Sequence, residues 1–269
     1  MKDAYKKYFE VNKETWNNKV SIHANSEFYN VDGFLKGETS LNNFELTEVG
    51  NVNGKKLLHL QCHFGLDTLS WSRLGAICTG VDFSKKAIDR AIELNKKLDL
   101  NATFIESNVY DVEATVKGKF DIVFTSYGVV GWLPDLEKWA QIIASKLKKG
   151  GSFYMIEFHP IVWMFSYTES PPQIKYSYLK GEVIYEEYKG TYTNKNAEII
   201  SKEYGWNHGL GEVISSLVNA GLEIEFLHEF EKSPYNSFPD MEKTEEGMFV
   251  LKENARLFPL LYSIKAIKK

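Results

Sequence analysis

The sequence predicts an α/β fold: a doubly wound, mostly parallel seven-stranded sheet with an antiparallel last strand, an N-terminal helical cap and an aromatic-rich β insertion. Three observations predict it. Apolar runs of the kind shown by strands buried on both faces recur at 55–60, 76–81, 102–106, 120–125 and 152–158. Helical patterns follow several of them, which makes strand–helix–strand units and hence a parallel sheet. Two further strand patterns, 222–228 and 260–267, close the chain with a polar loop and no helical pattern between them, so they should pair antiparallel.

Each element has a local reason. Residues 1–50 hold helical segments, 5–20 among them, and no strand rhythm, so they read as a cap. Leu57-Leu58-His59-Leu60 forms the first buried strand, and the helix at 66–74 is stopped by Gly75. Ser84 caps a helix reaching Leu98, with Ala87, Ile88, Ala91, Ile92 and Leu98 in its apolar stripe. Asp135 caps another, whose Leu136, Trp139, Ile143 and Leu147 share a face, and Gly150-Gly151 should end it before strand five. Beyond Pro160 the pattern alternates, and 173–179 and 182–188 flank Lys180-Gly181 like an antiparallel hairpin. A helix at 207–220, ended by Gly221, returns to the core. One domain over 1–269 is therefore expected, with a cap at 1–50, a cofactor-binding core at 50–160 and 207–269, and an insertion over the substrate at 160–206.

Composition narrows the function classes. With 269 residues, 43 % hydrophobic and 25 % charged, the chain can bury one large core. A net charge of −4 with scattered Lys and Arg supplies no field for nucleic acid or an anionic membrane. The Tyr- and Trp-rich insertion, Tyr167 included, is also acidic through Glu169, Glu182, Glu186, Glu187, Glu198 and Glu203. No apolar stretch approaches the roughly 18 residues of a membrane span, and residues 1–16 lack the apolar core of a signal peptide. Cys62 and Cys78 form no disulfide framework and fit a reducing cytosol, so a cytoplasmic monomer or homodimer acting on a small molecule is expected. A zinc site built on His59, Cys62 and His63 lacks a nearby fourth ligand, and no metal is expected.

In open parallel sheets ligands sit beyond the carboxyl ends of the strands. The loop 61–65 leads from strand one into a helix N-terminus suited to a carboxylate or phosphate, and Asp82 closes strand two where a ribose diol needs an acceptor. A nucleoside-containing cofactor is implied. A dinucleotide fingerprint would place glycines where Gln61, His63 and Leu66 stand, and a pyrophosphate would clash there. S-adenosylmethionine carries no pyrophosphate and asks less of the backbone.

At these residues the chain resembles the class I S-adenosylmethionine-dependent methyltransferases. Their first motif, an acidic residue followed by alternating glycines, looks like His59-Leu60-Gln61-Cys62-His63-Phe64-Gly65, with Gly65 kept. Gly80-Val81-Asp82-Phe83-Ser84 resembles the second motif, and Phe120-Asp121-Ile122-Val123 and Leu147-Lys148-Lys149-Gly150-Gly151 resemble the later strand signatures. The resemblance implies that Gln61, Cys62, His63 and Gly65 contact the methionine tail and that Asp82 bonds the ribose. It further implies that Phe83 lies against adenine, that Asn108 beside Val109 replaces the family's adenine-facing Asp, and that Ser126 runs beside the tail. His59 reads equally as a hydrogen-bonded core histidine.

Methyl transfer is an in-line displacement that needs positioning rather than a protein nucleophile. An acceptor that must lose a proton needs a base, and His159 heads the candidates, followed by Glu157 and Tyr127. Two rivals stay open: a cofactor-binding sensor or scaffold without transferase activity, and an NAD-type oxidoreductase.

Overall fold

A computed structural model describes residues 3–166, 173–236, 238, 240–252 and 258–269. Tyr167 and Glu169 lie outside the described residues. The cap comprises helices α1 (Asp3–Ala24), α2 (Val31–Leu35) and α3 (Asn43–Val49). The strand–helix alternation then runs β1 (Lys56–Leu60), α4 (Leu66–Arg73), β2 (Ile77–Asp82), α5 (Lys85–Lys97), β3 (Thr103–Glu106), α6 (Val112–Thr115), β4 (Phe120–Ser126), α7 (Leu136–Lys146) and β5 (Leu147–Phe158). Short strands β6 (Phe165–Ser166), β7 (Gln173–Ile174), β8 (Ile184–Lys189) and β9 (Ile200–Gly205) form the insertion. Helix α8 (Leu210–Asn219), β10 (Leu222–Phe230), β11 (Met241–Lys243), β12 (Phe249–Leu251) and β13 (Leu261–Lys268) complete the chain.

The seven-stranded sheet has the order β10-β13-β5-β4-β1-β2-β3. β1, β2, β3, β4 and β5 pair in parallel, and β13 is antiparallel to both β5 and β10. Side-chain alternation makes two cores. Leu58, Val123, Phe153 and Met155 meet Trp139 and Ile143 of α7 and Val213 and Leu217 of α8 on one face. Leu57, Ile122, Phe124 and Tyr154 meet Leu69, Trp71, Ala87 and Leu94 of α4 and α5 on the other. Ser84 caps α5 by accepting from Ala87 N–H, as its position predicts, and Asp135 caps α7 through Lys138 N–H.

Three expectations need correction. Gly150-Gly151 does not end the helix: α7 stops at Lys146, and β5 begins at once on Leu147. Phe120 pairs with Leu147 and Ile122 with Ser152, so the glycines belong to a bulge in β5, where Gly150 takes a φ of +76°. The hairpin about Lys180-Gly181 is absent: β7 pairs with β6, and β8 pairs with β9 across the turn at Gly190. A Cβ at Gly190 would stand 2.5 Å from the Lys195 carbonyl oxygen, so only glycine closes that turn. Finally, the region before the last strand, read as a polar loop, contains the β11–β12 pair.

The cap is tied to both ends of the molecule. Asn12 exchanges two 2.8 Å hydrogen bonds with the Tyr204 backbone, and Thr15 Oγ1 donates to Lys202 O, so α1 completes the edge of β9. Lys19, 1 % exposed, pairs with the buried Glu203, with Tyr188 Oη 3.0 Å from its ammonium. On the opposite side Asn17 Oδ1 accepts from Ser84 Oγ and Lys86 N–H at the start of α5. Among the described residues no helix is long and apolar enough to cross a membrane.

Candidate active site

The loop after β1 has a backbone that side-chain-bearing residues rarely adopt. Gln61, His63 and Gly65 all lie in the left-handed region, with φ of +57°, +50° and +80°. Cys62 N–H donates to Val81 O at 2.9 Å and Gly65 N–H to Cys62 O at 2.9 Å, which pins the turn to β2 and starts α4. At Gly65 a Cβ would come within 2.6 Å of Phe104 and 3.0 Å of Ala91, so glycine is required there for space as well as conformation. Gln61 and His63 hold the glycine-like shape with their side chains: Gln61 Nε2 donates to Val129 O at 3.1 Å, and the His63 ring packs against Trp16, Tyr29 and His23.

Asp82, at the end of β2, faces this loop. One carboxylate oxygen accepts from His63 N–H at 2.9 Å and the other from Ser84 N–H at 2.8 Å. Burial pushes the carboxyl up to about 6, against the downward pull of those N–H groups. Two donors leave lone pairs on both oxygens, so a diol can still be bound. Beside it a cleft of about 350 Å³ is lined by Phe83, Ser107 and Asn108, with Phe9, Lys13 and Glu106 at its rim. Asn108 Oδ1 is engaged with Tyr110 N–H at 3.0 Å, capping the turn that buries Val109.

The buried polar residues of β1 and its loop turn inward. His59 is 2 % exposed, accepts or donates at Nδ1 with Thr68 Oγ1 at 2.8 Å, and is pushed down by burial to about 3, so it is a neutral core histidine. Cys62 is buried and its thiol is pushed up by burial. Ser126 Oγ donates to Asp67 Oδ2 at 2.9 Å, which ties the end of β4 to the first turn of α4.

The three candidate bases fall in different surroundings. Glu157 is 3 % exposed and accepts N–H groups from Gly128, Val129, Val130 and Phe158, so its carboxylate fastens the turn after β4. Burial raises its pKa while these N–H groups lower it. His159, two residues on and on the same face, accepts from Ile161 N–H, stands 2.9 Å from Glu229 and packs on Tyr262. Burial lowers its pKa and Glu229 opposes the shift. Tyr127 follows Ser126, has a φ of +27°, and donates from its hydroxyl to Glu45 Oε2 at 3.0 Å. The structure therefore sets Tyr127, at the end of β4, against Glu45 of the cap, and His159 among Ile161, Glu229 and Tyr262.

Several residues near the site lay outside the sequence reading. Trp16 and His23 of α1 reach the loop after β1, with His23 Nδ1 3.1 Å from His63 Nε2. Tyr192, one of the insertion aromatics the sequence offers as a pocket wall, lies 4.6 Å from His23, ring to ring. Asp67, held by Ser40 and Ser126, is raised in pKa by burial, and Glu45 is wholly buried. Asp67 had a signal: it stands two residues past Gly65, in the first turn of the helix at the loop. The others come from segments far away in sequence, which no local pattern connects.

Comparison with known proteins agrees with this geometry. Residues 57–151 match the family described as a methyltransferase domain. An uncharacterized methyltransferase of Synechocystis sp. is 30 % identical over 132 residues, covering 48 % of this chain and 59 % of that protein. The ubiquinone biosynthesis O-methyltransferase of Vibrio campbellii is 28 % identical over 137 residues, covering 48 % of this chain and 56 % of its own length. The chain thus spans less than two thirds of the length of these curated relatives. Among solved structures, an S-adenosylmethionine-dependent methyltransferase from Clostridium acetobutylicum superposes with a TM-score of 0.57 at 12 % identity, covering 99 % of both chains. The DhpI–SAH complex does so with a TM-score of 0.58 at 14 % identity, covering 97 % of both. The strand order and the match over 57–151 agree: residues 57–151 match a methyltransferase domain, and the chain has the fold of these solved S-adenosylmethionine-dependent methyltransferases.

Proposed function

We propose that this chain transfers the methyl group of S-adenosylmethionine to a small-molecule acceptor bound between the strand ends and the cap. The observation that carries the reading is Asp82, desolvated yet only partly satisfied, standing between the preformed loop 61–65 and the open cleft at Phe83 and Asn108. In this reading Asp82 accepts the ribose hydroxyls, and Phe83, Asn108 and Val109 wall the adenine. The backbone of Gln61, Cys62, His63 and Gly65 meets the methionine tail, and Ser126, fixed by Asp67, borders it. The sulfonium supplies an activated methyl group.

The protein's part is positional. Glu157 holds the turn 128–130 in place through its N–H groups and so orients the loop in front of the acceptor. Trp16, Tyr29, Tyr192 and Trp132 form aromatic walls that exclude water. Proton handling falls to Tyr127. We give His159 a supporting role at the β5 end, since its contacts are with Ile161, Glu229 and Tyr262.

Calorimetric titration with S-adenosylhomocysteine and with NAD tests the cofactor. Binding of the former alone is expected, and Asp82→Ala should weaken it by roughly 1.5 to 3 kcal/mol while the fold persists. Tighter binding of NAD would reject the proposal. Turnover with pooled metabolites separates a transferase from a sensor.

A further inference from the structure

We infer that Glu45, from the N-terminal cap, is the positioning residue and proton sink behind Tyr127, so that the natural acceptor carries a transferable proton. This rests on the methyl-transfer reading above and adds to it a class of acceptor: a phenol, alcohol or amine, as against a nucleophile that has no proton to release.

The two oxygens of Glu45 do different work. Oε1 completes the capping box of α3, accepting from Asn42 N–H at 2.8 Å and from Asn42 Nδ2 at 3.3 Å. Capping explains that oxygen alone. Oε2 accepts from Tyr127 O–H at 3.0 Å, and the whole residue is 0 % exposed, whereas a glutamate that only caps a helix has no need of burial. A buried carboxylate is disfavoured unless it is bonded or takes up a proton.

Tyr127 is placed to relay. It is half-buried and follows Ser126, which borders the cofactor loop through Asp67. Its φ of +27° is a sparsely populated conformation, maintained by its N–H bond to Ile156 O at 2.8 Å. The ring meets Tyr235 edge-on at 5.0 Å and Phe158 at 6.2 Å, and Asn42 Nδ2 stands 3.4 Å from the hydroxyls of both Tyr127 and Tyr235. The groups facing Glu45 are Tyr127, Tyr235, Asp67 of α4 and Tyr154 of β5, whose hydroxyl bonds Glu48, itself paired with His228. Among the described residues no lysine or arginine pairs with Glu45. Burial first, with Asp67 adding to it, pushes Glu45 up to about 7, so it can be ionised before transfer and protonated after it near neutral pH.

The step balances. A lone pair of the acceptor forms the new bond to the methyl carbon while the carbon–sulfur bond breaks, and that pair remains on sulfur as a neutral thioether. The acceptor's proton passes to Tyr127 Oη as Tyr127 gives its own to Glu45 Oε2. The positive sulfonium and negative carboxylate thus become a neutral thioether and a neutral carboxylic acid.

The test measures S-adenosylhomocysteine release from S-adenosylmethionine with catechol and tyramine as protic probes and iodide as an aprotic one. Glu45→Gln keeps an oxygen for the Asn42 cap, and calorimetric binding of S-adenosylhomocysteine verifies that it folds. The ratio of protic to iodide transfer should fall at least about ten-fold in Glu45→Gln and in Tyr127→Phe, with partial recovery in Glu45→Asp. The wild-type protic rate should rise with pH through about 7 and lose that rise in Glu45→Gln. An unchanged ratio in a variant that binds S-adenosylhomocysteine overturns the inference, as does a wild type that methylates iodide and neither protic probe. Failure of the wild type to bind S-adenosylhomocysteine rejects the methyl-transfer reading itself, and binding without transfer to any of the three rejects both.

Discussion

The two sides of the site are assembled differently. The side proposed to hold the cofactor is nearly continuous in sequence: its loop, Asp82 and the Asn108 turn fall within residues 61–109, and its central contact, His63 N–H to Asp82, spans 19 residues. Backbone geometry carries it. The cap side is made of side chains brought from far apart: Tyr127 reaches Glu45 across 82 residues, Asn42 reaches Tyr235 across 193, and Lys19 reaches Glu203 across 184. The first kind of site can be preserved while the second is rebuilt.

That contrast can be broken from either side. The largest effect should come from the cap. Lys19→Met leaves Glu203 buried beside α1 without its cation, and should cost about 3 to 5 kcal/mol in urea unfolding, with the insertion loosening first in hydrogen exchange. If β8 and β9 exchange no faster, the pair does not join cap to insertion. On the cofactor side, Gly65→Ala adds a Cβ 2.6 Å from Phe104 to a backbone with φ of +80°. About 3 kcal/mol of destabilisation is expected, the sum of a left-handed penalty and overpacking. Phe104→Leu should relieve part of it, and strict additivity of the two changes would show that they do not meet.

The smallest effect concerns pH. Burial holds His59 down to about 3 in the fold, against about 6.5 in the unfolded chain. A depressed histidine is neutral in the fold and protonated when unfolded, so its share of stability is intact above pH 6.5 and is lost as pH falls below it. At pH 5.5 this amounts to about 1.4 kcal/mol, of which about 1.3 kcal/mol is lost between pH 7 and 5.5. His59→Leu should flatten the decline between pH 7 and 5.5 by that amount, and an equal slope in both proteins would contradict the shift. Glu45 and Asp82, raised to about 7 and about 6, act in the opposite sense and gain a proton in the fold as pH falls.

The contrast also accounts for what could be read from the sequence. Strands β1 to β5 and helices α4, α5 and α7 are written in local periodicity, and Ser84, Asp135 and Gly65 are local signals that the structure places as expected. Gly150-Gly151 misled because glycine serves equally to end a helix and to relieve a bulge, and only the partner strand decides. The hairpin misled because Lys180-Gly181 is a turn signal without strands to join, while α1 supplies the pairing that orders β9. At His159 strand parity is an informative signal beside the chemistry of the side chain. Phe158 points to the aromatic wall of Tyr127 and Tyr235, so Glu157 and His159 must point the other way. Glu45 left no trace in sequence beyond its capping box.

Gln61 and His63 have one more consequence. A glycine in their place would reach the same left-handed turn only after giving up a wide choice of other conformations, whereas here the choice has already been narrowed by side chains locked against Val129 and the α1 aromatics. The loop is therefore ordered before anything binds to it. A ligand captured by this turn would cost it little further conformational entropy.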